Sequence, residues 1–134
     1  MAEHPARPLV AGFARGRALV IEPLSFWGGC DPSTGVITDP HHAAAGSSFA
    51  GRCVVMAHGA GSSSSASVLA EALHHGVGPA AIILERADGI LVIGSVVAEE
   101  LYGEGCPILV LPGATSLLQD GADLVVETDG RIST

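Results

Sequence analysis

Residues 52–73, Arg-Cys-Val-Val-Met-Ala-His-Gly-Ala-Gly-Ser-Ser-Ser-Ser-Ala-Ser-Val-Leu-Ala-Glu-Ala-Leu, constrain the fold more than any other stretch of the chain. The unbroken apolar run Cys53–Ala57 predicts a buried strand, and Gly59–Ser65 a tight turn. Val68, Leu69, Ala72 and Leu73 recur at helical spacing, which predicts a helix over Ser64–His75. A Gly/Ser run is elsewhere a flexible linker. This one is short and joins an apolar strand directly to an amphipathic segment, which favours a structured strand–turn–helix. The first N–H groups of such a helix have no intrahelical partner, and the aligned peptide dipoles place about half a positive charge there. Small residues let a carboxylate or phosphate approach that backbone, so Gly61, Ser62, Ser63 and Ser64 are candidate contacts to a small anion.

A dinucleotide site is a sharper version of the same pattern. Gly59-Ala-Gly61 supplies two of its three glycines, and Glu85 ends the next apolar run at a suitable distance for a ribose contact. Ser64 stands where the third glycine belongs, and no second mononucleotide half is visible. The fingerprint is therefore partial and weak.

At 134 residues the chain reads as one domain, residues 1–134, without repeats or linkers. It is 48% hydrophobic and only 15% charged, enough apolar surface to suggest that a partner covers one face. A net charge of −8, with six basic residues that are all arginine, excludes a phosphate-tracking stripe, and sparse aromatics exclude a base-stacking platform. No nucleic-acid partner is expected. Neither a membrane span nor an apolar leader is visible, so the expected location is cytoplasmic. Cys30, Cys53 and Cys106 are widely spaced, odd in number and without a C-x-x-C pair, which suggests neither a disulfide framework nor a metal site.

Leu9–Ala14 and Arg17–Glu22 read as strands of a hairpin turning at Arg15-Gly16. Residues 23–35 form a shaped loop carrying the chain's one Trp, and Val36–Thr38 a short strand. From Arg52 onward strands and helices alternate. Strands are expected at Cys53–Ala57, Ala80–Leu84, Ile90–Ile93 and Ile108–Leu111, a second helix at Ser95–Tyr102, and a last strand at Asp123–Thr128. Apolar runs without alternation suggest parallel strands covered on both faces. The expected fold class is α/β, with a mainly parallel sheet and a smaller antiparallel layer.

Ser25-Phe-Trp-Gly-Gly-Cys-Asp-Pro-Ser-Thr-Gly35, His42, Gly46, the Gly59-Ala-Gly61-Ser-Ser turn, Gly78–Ile83 and Ile93–Ala98 together resemble the small subunit, or swivel domain, of aconitase X. The resemblance covers about residues 9 to 112. It implies a swivelling β/β/α three-layer domain and a large-subunit partner that carries an iron–sulfur cluster, with no metal bound by this chain. It also implies dehydratase activity on a small anionic substrate: cis-3-hydroxy-L-proline in bacterial members, mevalonate 5-phosphate in archaeal ones. The family's proton-abstracting serine directly follows Gly-x-Gly and maps onto Ser62. Ala60 stands where many relatives carry a basic residue, which makes a phosphorylated substrate less attractive. His58 is a nearby cation if protonated. A non-catalytic swivel module that binds an anionic metabolite is the alternative from another class.

The remaining polar residues have plainer explanations. His41-His42 offers too few ligands for a metal, although His42 matches a family position beside the site. His74-His75 falls in the last turn of a helix before Gly76, where the dipole and capping account for it. Asp31 precedes Pro32 and is either a turn aspartate or a carboxylate lining the site. Glu71, Glu99 and Glu100 read as solvated helix faces. Ser64 or Ser65, rather than Ser62, is expected to cap the helix.

Overall fold

The computed structural model describes residues 2–134. In chain order the elements are β1 (Glu3–Pro5), β2 (Arg7–Val10), β3 (Ala14–Val20), α1 (Phe26–Gly29), β4 (Cys53–Met56), α2 (Ser65–His74), β5 (Ala81–Leu84), α3 (Gly89–Tyr102), β6 (Ile108–Val110), α4 (Ala114–Leu117), β7 (Asp123–Val126) and β8 (Arg131–Ser133). The strands form one eight-stranded sheet in the order β1-β8-β7-β3-β4-β5-β6-β2.

The centre of the sheet is where sequence dictates most. Every residue of β4, β5 and β6 is buried. Val54, Met56, Ile82, Leu84 and Ile108 face one core with Leu69 and Leu73 of α2 and Leu91 and Ala98 of α3. The alternate residues Cys53, Val55, Ala81, Ile83 and Leu109 face a second core with Leu124 and Val126 of β7 and Ile132 of β8. Parallel strands need cover on both faces. Here α2 and α3 cover one face, and side chains of β7, β8 and α4 pack against the other.

The sheet is not mainly parallel. Only β3–β4, β4–β5 and β5–β6 pair in parallel; β1–β8, β8–β7, β7–β3 and β6–β2 are antiparallel. The short terminal strands, which carry little sequence signal, supply the antiparallel majority.

Four further expectations are corrected. Arg15 and Gly16 lie inside β3 and do not form a turn, since β2 pairs with β6 at the far edge while β3 sits between β7 and β4. A Cβ on Gly16 would come within 2.7 Å of the Gly51 carbonyl oxygen, so this glycine serves close packing. Ile90–Ile93 is no strand but the start of α3, because the Asp88 carboxylate accepts the N–H groups of Ile90 and Leu91 and caps a 14-residue helix. Val36 and Ile37 make only isolated bridges, to Ser48 and Cys30. The last strand stops at Val126, and a turn through Gly130 (φ +97°) returns the chain as β8.

α3 packs along α2, made possible by Gly94, where a Cβ would lie 2.8 Å from the Ala66 carbonyl oxygen. Its outer face leaves Ile93, Val96, Val97, Leu101 and Tyr102 exposed. No helix among the described residues is long and apolar enough to cross a membrane.

Candidate functional site

The parallel strands deliver their following loops to one edge of the sheet, the position where α/β sheets place ligands. β4 ends at Met56, and Ala57–Ser64 turns into α2. Gly61 takes φ +91°, a conformation open to glycine, and a Cβ there would run into the Ser25 hydroxyl. Gly59 is held closely from the other side, where a Cβ would collide with the Asp88 carboxylate. The turn is therefore wedged between the Ser25–Trp27 segment and the start of α3. Ala60 bridges to Ser25 and donates its N–H to the Leu24 carbonyl at 3.3 Å.

The serine run divides into distinct roles. Ser65 is buried, and its hydroxyl oxygen accepts the Trp27 N–H at 3.2 Å. Ser62, Ser63 and Ser64 are exposed. The expected capping role of Ser64 or Ser65 is corrected: neither side chain caps α2, and the Ser62 hydroxyl oxygen instead accepts the Ser64 N–H at 3.3 Å. Ser64 has helical backbone angles, so its side chain no longer points back at the first turn. The Ser62 carbonyl accepts the Ser65 N–H, and the Ser63 carbonyl that of Ala66. The N–H groups of Ser62 and Ser63 have no partner among the described residues. The Ser62 oxygen thus sits at the positive end of a ten-residue helix, in contact with one backbone donor and next to two unused ones.

Asp31 is not part of this cluster. The Trp27 N–H meets Ser65 at the start of α2, whereas the Pro32 carbonyl bonds the His75 ring at its end, 3.2 Å away. Residues 25–35 therefore run the length of α2, about 15 Å at 1.5 Å per residue. Asp31 accepts the N–H and hydroxyl of Ser33, and these bonds hold its carboxyl below the usual range. It is a turn aspartate.

His42 is held at both ring nitrogens. Nδ1 accepts the Ala44 N–H at 3.0 Å, which leaves Nε2 to donate to the Glu22 carbonyl at 2.9 Å. It fastens the loop after Thr38 to a shallow cleft of about 390 Å³ lined by Val20, Ile21, Glu22, Pro23, Ala57 and Thr115. Ser62 does not line this cleft; it stands on an open surface beyond Ala57. The Glu85 carboxylate is taken by the N–H and hydroxyl of Thr115, which keep it ionised below the usual range and unavailable to a ribose.

Two contributors to the site escaped sequence reasoning, Ser65 as the anchor of Trp27 and Asp88 as the residue crowding Gly59. Asp-Gly before an apolar run was a readable helix-start signal for the second. His58 packs beside the turn with Nδ1 on the Gly59 carbonyl at 2.6 Å.

The residues do not fit an iron–sulfur cluster. Cys30, Cys53 and Cys106 are all buried, Cys30 and Cys106 in one core and Cys53 in the other, so the three do not share a site. No group of three or more metal-binding side chains converges among the described residues.

The family model of the aconitase X swivel domain matches residues 3–134. The chain belongs to that family. This swivel domain is 45% identical over 106 residues to a cis-3-hydroxy-L-proline dehydratase of Pseudomonas aeruginosa, covering 78% of this chain and 18% of that protein. It is 36% identical to the phosphomevalonate dehydratase small subunit of Pyrococcus furiosus, covering 86% of this chain and 87% of that one. The crystal structure of Thermococcus kodakaraensis aconitase X in its holo-form matches at TM-score 0.88 and 30% identity, over 99% of this chain and 98% of that chain. The swivel domain spans about a fifth of the length of the hydroxyproline dehydratases it resembles.

Proposed function

We propose that this chain is the small subunit of an aconitase-X-type hydro-lyase that removes water from cis-3-hydroxy-L-proline, with Ser62 as the group that takes the proton. The observation that carries this reading is the seating of the Ser62 oxygen at the mouth of α2, with the Ser64 N–H on it and the Ser62 and Ser63 N–H groups unused.

A serine hydroxyl is a poor base until its alkoxide is stabilised. Backbone donors and the helix dipole do that, and a single well-aimed donor of this kind is worth about 10² to 10³ in rate. The C2–H bond of the substrate breaks toward the Ser62 oxygen, its electron pair becomes the C2–C3 double bond, and the C3–O bond breaks. The hydroxyl group departs and is released, with a proton, as water. Gly61 and Ser63 border the substrate carboxylate, and Ser64 holds the base through its N–H. An iron–sulfur centre is expected on the large subunit; this chain offers it no ligands and only the proton-accepting half of the site.

Two features support a second chain. Ser62 stands on an open surface that nothing among the described residues closes, and the exposed apolar face of α3 begins one residue from Gly94, which packs against Ala66 at the start of α2. A large subunit seated there covers both.

Two observations favour hydroxyproline over mevalonate 5-phosphate. The chain has no lysine, and among the described residues no arginine side chain hydrogen-bonds to the 59–65 turn, so this subunit shows no cation already fixed there for a phosphate dianion. The hydroxyproline dehydratases of Pseudomonas aeruginosa and Hypocrea jecorina are also 45% and 44% identical, against 34% to 42% for the phosphomevalonate dehydratase small subunits. Co-expression with the large subunit, followed by assays on both compounds, tests the reading. Turnover of cis-3-hydroxy-L-proline by the complex and by neither chain alone is expected. Turnover of mevalonate 5-phosphate instead would reassign the substrate, and an inactive but stable complex would favour a binding module.

A further inference from the structure

We infer that Trp27 is a specificity-determining residue whose indole meets the ring ammonium of the substrate. The inference deepens the proposed function and rests on it.

Trp27 is the only tryptophan, and 60% of it is exposed. Exposure of so large an apolar ring is costly unless something covers it. Its place is built, not incidental. Phe26 plunges into the core and packs on Phe49 with ring centroids 5.3 Å apart, which turns the next residue outward. The backbone of Trp27 is then clamped on both sides: its N–H donates to the buried Ser65 hydroxyl at 3.2 Å, and its carbonyl accepts the Ser25 hydroxyl at 2.8 Å. Gly28, at φ +78°, ends the segment in a conformation that spares it further strain. Ser65 follows Ser62 by one helical turn, and Ser25 is the residue wedged against Gly61. The fold therefore spends two serines and a glycine on fixing the backbone of an exposed tryptophan beside the turn that carries Ser62.

The chemistry of an indole says what it receives there. Its face attracts cations, and indole does so better than any other side-chain ring. A cyclic amino acid carries a ring ammonium next to the carbon that loses its proton, whereas a phosphate monoester carries no cation at all. With the carboxylate at the α2 terminus and the ammonium against Trp27, the two ends of a zwitterion each find a complementary surface. A neutral or purely anionic ring does not. The site then selects by charge pattern with a side chain that is itself uncharged.

The test uses the assembled complex and two competitors of similar shape: L-proline, which keeps the ring ammonium, and tetrahydrofuran-2-carboxylate, where oxygen replaces the nitrogen. For Trp27→Leu, inhibition by L-proline should weaken about 10-fold while that by tetrahydrofuran-2-carboxylate stays the same. KM for cis-3-hydroxy-L-proline should rise far more than kcat falls, and Trp27→Phe should recover part of the loss. Equal weakening of both competitors, or of neither, would overturn the inference. So would weaker subunit association with unchanged KM, which would make Trp27 an anchor for the partner. A second readout is independent of turnover. With 5-fluorotryptophan only in this chain, the complex shows one resonance from it in the fluorine spectrum, and L-proline should shift that resonance where tetrahydrofuran-2-carboxylate does not. An unshifted signal would overturn the inference even in an active enzyme; a shifted one in a complex inactive on hydroxyproline would sink the proposed reaction and leave the role of Trp27 standing.

Discussion

The hydroxyl oxygen of Ser62 accepts the N–H of Ser64 at 3.3 Å, so the residue proposed as the base also ties down the backbone just ahead of the helix whose dipole it uses. The two roles separate by magnitude. A solvent-exposed hydrogen bond of this kind contributes about 1 kcal/mol, whereas losing the proton acceptor removes the chemical step. Ser62→Ala should lower the melting temperature of the isolated chain by about 4 °C, leave assembly with the large subunit intact, and abolish dehydration. Calorimetry and a turnover assay on the same preparation check both parts. Retained turnover would remove Ser62 from the mechanism.

Gly61 tests whether the turn geometry is needed. Alanine there must adopt φ +91° and push against the Ser25 hydroxyl, a combination that costs about 2–3 kcal/mol. Gly61→Ala should therefore destabilise the chain clearly more than Ser62→Ala does. Adding Ser25→Ala relieves the collision with the hydroxyl but not the backbone strain, so the double variant should recover only part of the loss in denaturant unfolding. Full recovery would show that crowding alone makes this a glycine.

These local features were the ones legible in the sequence. Cys53–Met56, the Gly-x-Gly turn and α2 are each specified by neighbours along the chain: an unbroken apolar run, glycines, then helical spacing. Elements whose residues answer to distant neighbours were not legible. Gly16 looks like a turn glycine but yields to the Gly51 carbonyl, and Gly94 looks like a break between a strand and a helix but yields to the Ala66 carbonyl. Each misled for one reason: a glycine needed for close approach carries the same letter as one needed for a turn. Asp31 misled differently. It shares a motif with Ser25 and Trp27, but the loop runs along α2 and carries it to the opposite end.

Asp88 couples the helix that sequence reading had split to the candidate site. One oxygen of its carboxylate accepts the N–H groups of Ile90 and Leu91 at 2.9 and 3.2 Å, and the other crowds Gly59. Asp88→Ala should cost about 1–2 kcal/mol through the lost cap and loosen the turn beside it. Amide exchange should accelerate in the first turn of α3 and at Gly59–Ser62, while β5 and β6 stay protected. Acceleration confined to α3 would show that the turn holds its shape without this contact.

The exposed face of α3 predicts where the proposed large subunit sits. Val97 and Leu101 lie on that face, and neither belongs to the cores. Charging them should leave the fold alone and disrupt association. Val97→Arg and Leu101→Glu should each keep the native circular dichroism and melting temperature of the isolated chain but fall out of the co-purified complex, with activity lost in proportion. Complexes that survive both changes would move the interface to another face.

The buried thiols give a pH dependence whose sign follows from their environment. Burial raises Cys30 and Cys53 from the ordinary 9.0 to about 11 and Cys106 to about 12, so the fold favours the neutral thiol at all three positions. Their contribution is complete below pH 9, where folded and unfolded thiols are both protonated. Above it the unfolded chain ionises first, and stability falls as pH rises toward the folded values, by up to about 1.4 kcal/mol per pH unit for each thiol. Urea unfolding between pH 8 and 11 should show the midpoint holding to about pH 9 and then dropping steeply. In Cys106→Ala the drop should be shallower, because one of the three groups no longer titrates. The same burial should make all three thiols react with a thiol-specific reagent only at the rate of global unfolding. Rapid labelling of any of them in the native chain would show that its core opens locally.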